Sequence, residues 1–166
     1  MEDTEEQETY ISKGDSLIEQ SDFDGAIAVY SKAISEDPKD GFNFHLRGDA
    51  YRLKGDLERA VVEYSKALAL YDNDEDRALT LMYRATAFIG KSEYHNVIAD
   101  ADAVIKTGFF LSEAYLARGK AHFMLGPINL GVEDLRKAAD LGSKGALMEL
   151  EKYGYPYTPV MKVKKK

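Results

Sequence analysis

The chain contains no cysteine. Disulfides, thiol nucleophiles and thiolate metal sites are therefore excluded, and nothing points to an oxidising compartment. Only four of the 166 residues are proline, so little in the composition interrupts helices. Every apolar stretch is broken by charge within a few residues, which leaves no segment able to span a bilayer. The amino terminus reads MEDTEEQETY, acidic where a secretory signal needs basic residues followed by an apolar run, so the expected location is the cytoplasm. Catalytic signatures are lacking as well: no H-E-x-x-H pair, no phosphate-binding glycine loop and no nucleophile elbow occurs. The three histidines are expected at different places, His45 in a groove, His95 at a turn and His122 at a helix seam, so they do not converge. His45 and Asp49 share one helical face, but two ligands without a third do not make a metal site. No enzyme, no cofactor and no metal are expected.

What is present is repetition. Gly14, Ala26, Tyr30, Ala33 and Pro38 return as Gly48, Ala60, Tyr64 and Ala67, a step of 34 residues. That is the length of one helix-turn-helix unit. A third copy runs Ala85, Val97, Ala101 and Val104, and a fourth runs Gly119, Gly131, Leu135 and Ala138. Two antiparallel helices approach closely only where a small residue on one meets a bulkier one on the other, and Gly14 with Tyr30 has that form. Each copy also places a bulky apolar residue nine positions after its small one: Phe23, Leu57, Tyr94 and Ile128. The step from Gly48 to Ala85 is 37 residues, so three extra residues belong in the acidic joint Asp72 to Asp76 or just after it.

Apolar residues at 45% and charged residues at 31%, with a net charge of −7, describe a folded helical chain rather than a disordered one. The pattern predicts helix pairs at 8–20 with 23–36, 41–54 with 57–71, 75–90 with 93–107, and 111–125 with 128–141. The breaks Ser21-Asp22, Gly55-Asp56, Lys91-Ser92 and Gly126-Pro127 should in most cases also supply a cap to the next helix. A ninth helix, over 143–153, should cover the apolar face that the last repeat cannot bury alone. Residues 1–6 are expected to be disordered, and 154–166 to form a basic tail.

In GDSLIEQSDFDGAIAVYSKAISEDP and RGDAYRLKGDLERAVVEYSKALAL the chain resembles the tetratricopeptide repeat family, over roughly residues 7 to 142. The stretch KAADLGSKGALMEL is also similar to the related Sel1-like repeat. The resemblance implies an all-α, right-handed α-solenoid of four repeats, at about 7–40, 41–74, 78–111 and 112–142, closed by the capping helix. It further implies that the first helix of each pair lines a concave groove. Helical period then turns inward the residues one, four and five after each small position and three and six before it. They are Glu8, Ile11, Asp15, Ile18 and Glu19; Phe42, His45, Asp49, Arg52 and Leu53; Leu79, Met82, Thr86 and Ile89; and Glu113, Leu116, Lys120, Phe123 and Met124.

The groove so drawn is acidic in its first third and apolar beyond. An apolar peptide or amphipathic helix of another protein is the ligand such a surface suits. The residues expected to hold it are Phe42, His45, Asp49, Leu79, Met82, Ile89, Leu116, Lys120, Phe123 and Met124. Coverage of some of them by neighbouring helices or by the tail folding back is the alternative, and a homo-oligomer with the groove filled by a second copy is another. Family members that hold the acidic tails of heat-shock chaperones carry a lysine, an asparagine and a second asparagine where this chain has Ile11, Asp15 and Leu46. Such a clamp is missing. Lys13, Arg47, Arg84 and Arg118 recur just before each small position, with Glu36, Glu63, Asp100 and Asp134 as expected partners across the helix seam rather than a nucleic-acid ladder. Lys162, Lys164, Lys165 and Lys166 are expected in a solvated tail, so neither nucleic acid nor membrane is an expected partner; the tail could instead neutralise the acidic first repeat of a neighbouring molecule.

Overall fold

Nine α-helices follow one another over residues 2–158, the part of the chain that the computed structural model describes, with side chains from residue 9 onward. They are α1 (Glu2–Glu19), α2 (Phe23–Glu36), α3 (Gly41–Lys54), α4 (Leu57–Leu70), α5 (Asp74–Gly90), α6 (Tyr94–Thr107), α7 (Leu111–Leu125), α8 (Ile128–Asp140) and α9 (Lys144–Lys152). Each helix packs on the next in sequence, and the odd-numbered helices α3, α5 and α7 also touch along one face. The result is an α-solenoid of helix pairs. Residues 2–6, expected to be disordered, are part of α1; no proline or glycine interrupts the segment before Gly14, and acidic residues suit the first turns of a helix. The four tail lysines lie outside the described residues.

The closeness of the first pair is set by the absence of a side chain. A Cβ added to Gly14 would lie 2.3 Å from the Tyr30 ring, and one on Gly48 would lie 2.9 Å from that of Tyr64. Tyr30 and Tyr64 are in consequence almost wholly buried, and their hydroxyls emerge on the far side to donate to Asp15 and Asp49, each at 3.1 Å. In the fourth copy Gly119 admits the Gly131 carbonyl and Leu135 instead.

Arginine side chains tie the repeats to one another. Arg47 donates to Glu63 in its own repeat and to Ser31 in the previous one. Arg84 does the same with Asp100 and Ser65, and Arg118 with Asp134 and Asp102. Each guanidinium thus spans three helices, which is the seam role expected of these positions. Burial pushes the Asp100 carboxyl above its usual range against the pull of Arg84. Glu36, the acid expected opposite Lys13, accepts from Tyr10 at 2.5 Å.

The three extra residues of the long step enter α5 rather than the joint. Asn73 caps that helix by accepting from the Asp76 amide at 2.8 Å, with Asp74, Glu75 and Asp76 in the first turn. Arg77 reaches back to the Leu68 carbonyl at 2.7 Å and so satisfies the end of α4. α5 is 17 residues long where α3 has 14. Side-chain caps of the other turns are fewer than expected: Asp22 and Asp56 cap α2 and α4, whereas α6 and α8 begin without one.

Candidate functional site

The expected binding residues fall into three groups. Leu79 and Met82 come together with Arg52, Tyr83, Thr86 and Glu113 around a depression of about 310 Å³ on the face shared by α3, α5 and α7. Both stand on α5, three residues apart, and so share one side of the helix. Arg52 forms one rim, held by Asp49 at 2.6 Å and lying 5.4 Å over the Tyr83 ring. Glu113 forms the opposite rim. Phe42 and Ile89, both exposed, stand at the ends of their helices, and Met124, 57% exposed, occupies the last turn of α7.

His45 does not face open groove. It is 5% exposed, shares a 2.8 Å hydrogen bond between Nδ1 and the Thr80 hydroxyl, and is enclosed by the rings of Phe42, Tyr64 and Tyr83. Burial holds its imidazole below the usual pKa; Arg52 adds to this, while Asp49 and Asp76 oppose it. His45 therefore ties α3 to α5 beneath the depression instead of meeting a ligand. Asp49 is likewise engaged from within the fold, by Arg52 and by the Tyr64 hydroxyl.

Leu116, Lys120 and Phe123 form the third group, and the capping helix with the residues after it packs against Leu116 and Phe123 while Lys120, 46% exposed, reaches across to it. α9 runs beside α7 so that Gly145 meets Leu116, Glu149 pairs with Lys120 at 3.1 Å, and Tyr153 stacks on Phe123 with ring centroids 4.3 Å apart. Tyr155 adds a second ring to Phe123, and the Tyr157 hydroxyl donates to Asp140 on α8 at 2.5 Å. Phe123 also fills the space above Gly131, where a Cβ would lie 2.6 Å from its ring. The groove expected to run through all four repeats is therefore narrowed in its last third by residues 144–157, which leave Lys120 and Met124 exposed. Past the expected end of α9, GYPY carries two further rings, Tyr155 and Tyr157, which pack back on α7 and α8 rather than face water.

The first third is open. Ile11, Ser12, Asp15, Ser16 and Glu19 on α1 border a shallow depression of about 500 Å³. With Asp49 paired to Arg52 and Glu149 to Lys120, the remaining charged groups bordering the two depressions are Asp15, Glu19 and Glu113, all acidic. Repeat spacing does not show Tyr83, which enters the site through contacts with His45 and Arg52 of the preceding repeat. Among the described residues no three His, Cys, Asp or Glu side chains gather to hold a metal, and no helix is long and apolar enough to cross a membrane.

A family model described as tetratricopeptide repeat matches residues 7–40 and 43–74. No curated protein sequence matches the chain at a significant level. Among solved structures, residues 41 to the end of MamA from Desulfovibrio magneticus RS-1 superpose with a TM-score of 0.77 at 18% identity, over 90% of this chain and 87% of that one. A tetratricopeptide repeat protein from Parabacteroides merdae gives a TM-score of 0.74 at 21% identity, over 87% of this chain and 57% of that one. The second such domain of human RPAP3, solved in complex with the HSP70 peptide SGPTIEEVD, gives 0.57 at 30% identity, over 64% of this chain and 88% of that one.

Proposed function

Since the chain belongs to the tetratricopeptide repeat family, we propose that it is a non-catalytic interaction module whose ligand, an apolar segment of a protein, seats against Leu79 and Met82. The depression between α3, α5 and α7 carries this reading. Stacked repeats build extended concave surfaces, and methionine adapts its flexible stem to differently shaped side chains. Arg52 and Glu113 at opposite rims would orient the segment by charge. The human RPAP3 domain was solved with a peptide that ends in EEVD, and this chain is unsuited to such a ligand. Asp15, Glu19 and Glu113 repel carboxylates, and Ile11 and Leu46 stand where clamp side chains would be needed. A ligand of neutral or basic character fits.

The test is affinity capture with the intact chain and with two variants, Met82→Lys and Glu113→Lys. Met82→Lys places a charge in the apolar floor and should abolish capture of whatever the intact chain retains, with helicity unchanged by circular dichroism. Glu113→Lys should weaken capture of the same proteins. Identical capture by the intact chain and both folded variants would refute the groove as the working surface.

A further inference from the structure

We infer that the concave face of one molecule takes up residues 159–166 of a second copy of the chain. The inference rests on the groove reading above and names the ligand for it. The segment reads PVMKVKKK, with Val160, Met161 and Val163 supplying apolar side chains and Lys162 and Lys164 to Lys166 supplying positive charge. The surface offers the complement in the same order: the apolar floor of Leu79 and Met82, then Asp15 and Glu19 on α1. Arg52 at the rim is already paired with Asp49, the other charged groups bordering these depressions are acidic, and the segment is the most basic in the chain.

Where the described residues end favours a second copy over the same molecule. Tyr157 is fastened to Asp140 on α8, and Tyr153 and Tyr155 lie against Phe123 at the α7 end of the groove. Eight residues span at most about 29 Å when fully extended. From α7 to α1 there are three helix-to-helix steps of about 8–10 Å each, before the path from α8 around to the concave side is added. The lysines of one molecule would therefore reach its own Glu19 only with the segment stretched to its limit. A neighbouring molecule imposes no such demand. The contact is heterologous, with the carboxyl end of one molecule on the amino-terminal repeats of the next, so it builds closed rings or open chains according to whether the rotation closes.

The experiment is sedimentation velocity on the full chain over a dilution series, at low salt and at roughly 0.5 M salt, where screening reduces attraction beyond a few ångström. Three charge-reversed forms are compared: a tail form (Lys164→Glu, Lys165→Glu, Lys166→Glu), a groove form (Glu19→Lys, Glu113→Lys) and the two combined. The intact chain should gain mass with concentration, more at low salt. Each reversed form should associate at least about tenfold more weakly, and an equimolar mixture of the two reversed forms, or the combined form alone, should regain association. That recovery could not occur if the substitutions had unfolded the chain.

A mass that stays monomeric at every concentration overturns the inference, as does association indifferent to both sets of substitutions. If neither reversed form changes the association while Met82→Lys still loses captured protein, the inference falls and the groove reading stands. If Met82→Lys changes neither capture nor mass, both fall.

Discussion

The first two repeats and the last two are built on one plan with different chemistry at its centre. In the first two, glycine meets tyrosine across the helix seam, and the tyrosine hydroxyl ends on an aspartate at the concave surface. In the last two, Ala85 packs in one cluster with Val97 and Gly119 faces Leu135, Ala101 and Leu135 stand where the tyrosines stood, and the corresponding surface positions are Thr86 and Lys120. The same division runs through the turns inside the helix pairs, where Asp22 and Asp56 cap α2 and α4 in the first half and α6 and α8 begin without a side-chain cap in the second. It also runs through the match to the family model, which covers only the first two copies. The concave face follows suit, open and acidic at α1, apolar at α5, and narrowed at α7 by α9 and the tyrosines after it. A solenoid can therefore keep its backbone plan while its seam changes from polar to apolar, because what the plan requires is a small residue facing one that fits the gap.

Removing the ties between repeats should separate the two halves most sharply. Arg118→Ala leaves Asp134, 5% exposed, with only the more distant His122 at 3.8 Å and Lys137 at 4.0 Å, and should cost about 3 kcal/mol of unfolding free energy by urea denaturation. Lys13→Ala at the matching position of the first copy should change stability by no more than about 0.5 kcal/mol. Phe123→Ala comes next. It removes a ring packed between Gly131 and Tyr153 and should cost about 2–3 kcal/mol while leaving ligand capture intact; a loss of capture at unchanged stability would return Phe123 to the groove.

The smallest effect is one of pH. Because burial depresses the pKa of His45 in the folded chain, below pH 6.5 the unfolded state binds a proton that the folded state refuses. The stability it supports is thus complete above that pH and declines as pH falls toward the folded pKa. The difference in urea midpoint between pH 7.5 and pH 5 should shrink in His45→Gln, since carboxylates titrate alike in both proteins. An unchanged difference would show that His45 is as free to charge in the fold as out of it.

Nearly all of the helices were legible in the sequence, because small and bulky residues recur at a fixed step and mark where helices must touch. The observed bounds of α2, α3 and α7 are those the pattern predicts, and the arginine seam was legible from its acids sixteen residues on. The placement of the 37-residue step needed the structure: Asn73 could end a joint or cap a helix, and the Arg77 contact with α4 decides it. Of the residues expected to hold a ligand, Leu79 and Met82 line the depression, whereas His45 is buried inside the fold and Leu116, Lys120 and Phe123 meet the capping helix or the residues after it. Repeat periodicity says which way a residue points, but it does not say what a partner outside the repeat will lay over it. Tyr153 and Tyr155 belong to no repeat, so their cover left no mark in the spacing, and His45 pairs with Thr80 in a repeat whose extra turn obscures the alignment.

The most direct test uses the methionine methyl groups as reporters. Met82 lies in the floor of the groove and Met148 on the outer face of the capping helix, 71% exposed. Labelled full-length protein is titrated with a synthetic peptide of residues 156–166 and followed by methyl NMR. The Met82 resonance should move progressively while Met148 stays in place, and Met82→Lys should abolish binding of the peptide. Movement of Met148 with Met82 unchanged would place the contact on the capping helix and contradict a concave binding surface.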